Sequence, residues 1–282
     1  MKTLKIWILL VAGLFFSCEN TTTKTTNSPE KIENPTNKVM LSSEIAWQKL
    51  NPARGDKSPQ AGTIWGDRKG TVATGFLAKF VDGFSSPPHI HNVTYRAVVI
   101  KGLIHNDDPT AANMWMQPGS FWTQPKGESH ITSAKGEENI AYVEIDRGPY
   151  LVKPVSEAFD TGEKPVNIDA PNIIWLDKST VNRIQNSNAS ISYLWKKEDL
   201  QGLFVKLPKS FKGTLKNTGT TFHAVIIKGN VSYTMPLTGE VKTLDAGSYF
   251  TATDTAIHDL SNKNDEEVIV YIRTNNTINI NE

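Results

Sequence analysis

From about residue 43 to the end, the chain consists of short apolar runs set between turn residues. The runs include TGFLAKF (74–80), YRAVVIKG (95–102) and NIAYVEI (139–145). Later come GLFVKLP (202–208), FHAVIIKG (222–229), GSYFTAT (247–253) and VIVYIRT (268–274). They are rich in β-branched and aromatic residues, and Gly, Pro, Asn and Asp punctuate them, as strands joined by turns require. No stretch sustains a helical period. Many short strands predict an all-β sandwich or barrel.

The runs also recur. TYRAVVIKG (94–102) returns as TFHAVIIKG (221–229), 127 residues later, and at the same offset GFLAKF (75–80) falls on GLFVKL (202–207). PGSFWT (118–123) falls on AGSYFT (246–251), and EENIAYVEI (137–145) on EEVIVYIRT (266–274). Trp47 and Trp175 open the two stretches in similar company. Blocks repeated in the same order predict two copies of one β unit, over 43–165 and 166–282.

The first residues follow a different pattern. Lys2 and Lys5 precede an apolar segment, 6–16, too short to span a bilayer but suited to an export signal. Ser17 and Cys18 follow, and residues 1–18 resemble a bacterial lipoprotein signal in which Cys18 would be lipidated and become the mature N-terminus. Phe15 and Phe16 depart from the small or aliphatic residues usual before such a cysteine. One lipidated cysteine would hold the protein on a membrane without spanning it. No later apolar stretch is long enough to cross. Residues 19–42 begin ENTTTKTTNSPEKIENPTNKVM and are nearly devoid of apolar side chains, so they are expected to form a flexible tether. The expectation is an exported, membrane-anchored lipoprotein of the bacterial cell envelope.

Composition narrows the chemistry. The formal net charge is +1, which gives no electrostatic reason to expect nucleic acid or a strongly acidic partner. Cys18 is the only cysteine, and with it spent the body has no disulfide, thiolate metal site or cysteine nucleophile. There is no G-x-S-x-G elbow, P-loop or G-x-G-x-x-G fingerprint.

His89 and His91 follow a double proline and, in an extended strand, point the same way. Two imidazoles at that spacing can share a metal. They belong to Gly83-x5-His89-x-His91-x3-Tyr95-x6-Gly102, and a second stretch reads Gly119-x5-Pro125-x-Gly127-x2-His130. Together these resemble the two motifs of the cupin superfamily, although the asparagine that usually ends the second is absent. The likeness covers nearly everything after the tether. It is strongest to an uncharacterised two-barrel family akin to acetylacetone dioxygenase and to the cupin sensor domains of certain anti-sigma factors. It implies two tandem jelly-roll barrels (double-stranded β-helices) with a metal inside.

The usual cupin ligand set is His, His, Glu and His. Here the Glu slot holds Tyr95 or Arg96. Tyr95 shares strand parity with His89 and His91, whereas Arg96 would face away. The expected metal ligands are therefore His89, His91 and His130, three neutral imidazoles around one divalent ion with open positions. Iron follows from the dioxygenase resemblance, and zinc competes in an exported protein. Tyr95 and Glu128 are the catalytic candidates flanking the open positions, Glu128 because strand parity puts it beside His130. His105 either lines the cavity or belongs to the turn opened by Asn106, Asp107, Asp108 and Pro109. Trp115 and Trp122 read as barrel core. The repeat places Lys216, Thr218 and Phe222 where His89, His91 and Tyr95 stand, so only His258 survives in the second barrel. That barrel is expected to be metal-free and supportive, with a ligand pocket as the alternative. The expected function is a metal-dependent, dioxygenase-like enzyme acting on a small oxygen-bearing or enolisable compound. The alternative is a non-catalytic small-molecule binding or sensory module. Homodimerisation is a superfamily expectation.

Overall fold

The computed structural model describes residues 36–282. The signal expected over 1–18, Cys18 and tether residues 19–35 lie outside the described residues. Among the described residues no helix is long and apolar enough to cross a membrane.

The first repeat forms a seven-stranded sheet. Its order is Val166–Ile168, Phe121–Gln124, Tyr95–Asp107, Ile131–Ile145, Thr74–Phe80, Gln60–Trp65 and Gln48–Lys49. A two-stranded ribbon, His89–His91 with Val152–Pro154, joins it through bridges at Ser85–Ser133 and His89–His130. The second repeat forms two six-stranded sheets. One runs Lys38–Met40, Tyr249–Ala252, Phe222–Lys228, Val268–Thr274, Leu200–Leu207 and Ser190–Lys197. The other runs Ile184–Gln185, Ile278–Asn281, Lys212–Asn217, Ala256–Ser261, Val231–Thr234 and Val241–Leu244.

Continuous apolar runs, rather than an alternating pattern, mark strands buried on both faces. In Tyr95–Asp107, Tyr95, Ala97 and Val99 enter the first barrel's core, while Val98 and Ile100 enter the layer between barrels. In Phe222–Lys228, Phe222, Ala224 and Ile226 enter the second barrel's core, while Val225 and Ile227 meet the first barrel. The repeat extends to backbone detail. Gly102 and Gly229 turn with φ of 71° and 77°, and Gly119 and Gly247 with 91° and 97°, conformations a side chain would strain. Both long strands slip register just before the first of these pairs, at Val99/Lys101 and Ile226/Lys228.

Each barrel borrows an edge strand from outside its own repeat. Lys38–Met40 lies against Tyr249–Thr251 of the second barrel, and Val166–Ile168 against Phe121–Thr123 of the first. Tether residues therefore become folded: Asn37 is buried, and its amide donates to the Tyr233 hydroxyl at 2.6 Å. Val39 packs on the second core and Met40 on the layer between barrels. Three residues are too few to show a period, yet they satisfy an open sheet edge.

The layer between barrels contains a polar centre. Glu144 is fully buried and accepts from the Tyr142 and Tyr271 hydroxyls at 2.9 and 2.8 Å and from Arg273 at 3.1 Å. Arg273 also reaches Asp146, which Arg96 grips at 2.9 and 3.3 Å. Arg96 does face away from the first cavity, stacking on Trp195 at 3.8 Å, and its counterpart His223 stacks on Trp65 at 4.0 Å. Two copies of one unit thus meet through the same strand face.

Burial holds His258 down to about 3, and burial with the nearby Arg273 charge holds His223 to about 3. Both are neutral when folded, whereas the unfolded chain takes up protons near the ordinary value of about 6.5. The unfolded state then binds more protons between these values. Their contribution is therefore present above about pH 6.5 and is lost as pH falls toward about 3. At pH 5 each histidine should cost ~2 kcal/mol. Urea unfolding at pH 7 and 5 checks this: His223→Phe, which keeps the ring stack, should lose about that much less than wild type over the same interval.

Candidate metal centre

His89 and His91 occupy alternate positions of one short strand, so their rings leave the same face. His130 stands directly across from His89, and each N–H donates to the other's carbonyl at 3.0 Å. Cross-strand partners share a face, which brings in the third ring. Ring centroids lie 4.3 Å apart for His89–His130, 5.0 Å for His89–His91 and 5.2 Å for His91–His130. One nitrogen from each ring lies within 4.8 Å of the other two.

The far nitrogens are all engaged. His89 Nδ1 meets the Pro87 carbonyl at 2.9 Å, His91 Nδ1 that of Leu151 at 3.1 Å, and His130 Nδ1 that of Glu128 at 3.3 Å. A carbonyl only accepts, so each Nδ1 carries the proton and each Nε2 keeps its lone pair. Such outer hydrogen bonds are what orient metal-binding imidazoles. Burial lowers the basicity of all three rings. His91 is pushed well down, with His130 and His89 adding to the effect, and His130 falls to about 3 through burial and then His89. Three converging lone pairs on neutral rings fit a divalent cation better than a proton.

Tyr95 faces the cavity, as strand parity predicts, and a buried network holds it. Its hydroxyl donates to Asn106 Oδ1 at 2.9 Å, which also accepts from Thr132 at 2.8 Å. The Asn106 amide donates to Gln124 at 3.0 Å, and Gln124 to the Glu128 carbonyl at 3.2 Å. That same carbonyl receives His130 Nδ1, so the network ends on a candidate ligand. Burial raises the Tyr95 pKa. A phenol that donates its proton to Asn106 is a cavity wall and hydrogen-bonding group, not a fourth ligand.

Glu128 is not among the residues lining the cavity beside the rings. Lys126 and Gly127 form a turn, and Glu128 and Ser129 after it belong to no strand, so the alternation assumed between Glu128 and His130 does not hold. Its side chain lines a separate surface hollow with Lys126, Phe159, Asp160 and Lys164, where burial raises its pKa. Its role at the histidines belongs to its backbone. His105 and Asn106 sit in the strand Tyr95–Asp107 rather than in a turn; His105 Nδ1 donates to the Met114 carbonyl at 3.3 Å, and the ring does not line the cavity. Trp122 is buried as expected and also forms cavity wall.

Tyr150 is the residue that motif reading missed. It stacks on His91 at 4.4 Å, and its hydroxyl donates to His91 Nε2 at 3.2 Å. It lies beyond both motifs, in a segment with no strand pattern. The cavity beside the rings has a volume of about 600 Å³ and is walled by Phe76, Phe80, Phe84, Trp122 and Tyr150. In the second barrel, His258 lies instead between Phe222, stacked at 4.4 Å, and the Tyr233 hydroxyl at 2.8 Å from Nδ1. The three-histidine group is the one such cluster found among the described residues.

No curated protein matches the sequence. Solved structures match the fold at low identity. A Nostoc punctiforme protein provisionally assigned as a dioxygenase aligns with TM-score 0.65 and 13% identity over 84% of this chain and 82% of that one. Protein Ylba from E. coli aligns with TM-score 0.59 and 12% identity over 87% and 94%. A mutant of salicylate 1,2-dioxygenase from Pseudoaminobacter salicylatoxidans, in complex with gentisate, aligns with TM-score 0.54 and 10% identity over 88% and 84%. These neighbours share the cupin fold. A family model described as a domain of unknown function, DUF4437, matches residues 38–281. The described residues form two cupin barrels, one carrying a three-histidine cluster, and the chain belongs to the DUF4437 family.

Proposed function

We propose that the first barrel holds one divalent metal on His89, His91 and His130 and turns over a small oxygen-bearing or enolisable compound in dioxygenase-like chemistry. The observation that carries this is the set of three Nδ1–carbonyl hydrogen bonds, which leaves Nε2 as the ligand atom of each ring. The group's ligand nitrogens lie within 4.8 Å of one another, with His91 Nε2 accepting from Tyr150, beside a cavity that His89 and His91 line. A bound ion would supply Lewis acidity and, were it iron, access to dioxygen. With no carboxylate ligand, it would keep its full charge for an anionic or enolate oxygen. Dioxygenases among the structural neighbours agree with this reading.

The chain's own residues have definable tasks. The aromatic wall excludes water and holds an apolar body. The Tyr150 hydroxyl donates to His91 Nε2 here, and an ion on that nitrogen would free it to donate to an oxygen beside the rings. Tyr95 positions His130 through Asn106, Gln124 and the Glu128 carbonyl. The export signal and the Cys18 anchor belong to the proposal on sequence grounds alone.

Metal analysis of protein made without chelators, followed by oxygen uptake with a panel of β-diketones, tests the reading. Iron at near one per chain with uptake is expected. Tightly held zinc without turnover would favour a binding module, and no metal would overturn both.

A further inference from the structure

The cavity mouth carries a charge that the metal reading does not use. Arg54 is the one charged side chain among the residues lining the cavity, and no acidic side chain lines it. Its guanidinium lies over the Phe84 ring at 5.2 Å. No carboxylate among the described residues sits within ion-pair distance of it. It stands in the short segment Pro52–Lys57, whose ends are fastened: Leu50 N–H donates to the Pro59 carbonyl at 2.8 Å and Asn51 N–H to Ser58 Oγ at 3.0 Å. Gly55, at φ 57°, reverses the chain beside it. The loop therefore presents an uncompensated cation at the entrance of a pocket walled by Phe76, Phe80, Phe84 and Trp122.

We propose that the cavity takes aryl carboxylates, with the carboxylate on Arg54 at the mouth and the ring between the aromatic walls. This names the substrate class of the reading above and rests on it only for the oxygen that faces the histidines. A guanidinium meets a carboxylate through two parallel N–H donors, a fit that an ammonium or an amide partner does not reproduce. The aromatic walls reward a planar apolar body with offset or edge contacts. A neutral substrate would gain the second term and forgo the first. The volume of about 600 Å³ admits a single-ring acid together with its linker.

Calorimetric titration of the zinc-loaded full chain tests this with phenylacetate, 3-phenylpropionate, 4-phenylbutyrate and the amide of each. At low salt, at least one acid should bind about tenfold or more tightly than its own amide, and the preference should shrink with added salt. In Arg54→Ala that preference should fall to about twofold or less, with amide affinity and zinc content unchanged, while Arg54→Lys should keep part of it. Equal binding of acid and amide, no binding of any acid, or a full preference surviving in Arg54→Ala would overturn the proposal. Zinc content is measured on the same samples. A preparation that takes up no zinc yet prefers the acid through Arg54 overturns the metal reading and upholds this one.

Discussion

His130→Ala should leave the protein with under about a tenth of the wild-type metal content, a loss of at least ~100-fold in affinity. The ring is fully buried and stands opposite His89, so removing it leaves two imidazoles and a void where the third nitrogen pointed. The backbone pair between His89 and His130 survives the substitution, because it uses N–H and C=O groups alone. Far-UV circular dichroism should therefore be unchanged while elemental analysis falls. His258→Ala provides the matched control. That ring is equally buried, in the second barrel, and its loss should lower stability by about 2–5 kcal/mol without changing metal content. Equal metal loss in both variants would mean that the ion is not confined to the first barrel.

Arg273→Met should destabilise the protein by about 3–5 kcal/mol in urea unfolding. Arg273 is buried between the barrels and bonds both Glu144 and Asp146. Without it, the fully buried Glu144 carboxylate keeps only the Tyr142 and Tyr271 hydroxyls. Asp146 retains Arg96, so the uncompensated charge falls on Glu144. Burial pulls the Arg273 pKa down, but Glu144 and Asp146 outweigh it and raise the value, as expected of a cation whose partners repay its desolvation. The double variant Glu144→Met with Arg273→Met should cost clearly less than the two single costs combined, because it leaves no stranded charge. Additive losses would show that the pair is held independently by other groups.

The large features of this fold were legible because the same physics shaped both repeats. Strands buried on two faces carry long apolar runs, and a run such as YRAVVIKG is distinctive enough to be recognised when it returns as FHAVIIKG. Strand parity put His89 with His91 within one strand and Tyr95 opposite Arg96 within the next, but bends at Asn92 and Val93 separate the two strands, so Tyr95 reaches the histidines' cavity without an unbroken alternation. The same rule failed for Glu128, because Glu128 and Ser129 follow a turn and lie in no strand. Asn106 carries a turn preference, yet Tyr95, Gln124 and Thr132 satisfy its amide inside the barrel, and burial with full hydrogen bonding overrides propensity. Tyr150 and Arg54 reach the cavity from segments outside both motifs, so no spacing foretold them. Lys38–Met40 reads as tether in the sequence since its only structural signal is the unpaired edge it covers, which lies more than two hundred residues away.

Anomalous diffraction from crystals of the metal-loaded protein tests the central claim most directly. The prediction is a single strong peak in the first barrel, bonded to Nε2 of His89, His91 and His130 at roughly 2.0–2.2 Å. A peak bonded elsewhere, or three rings with no metal density between them in protein soaked with iron or zinc, would contradict it.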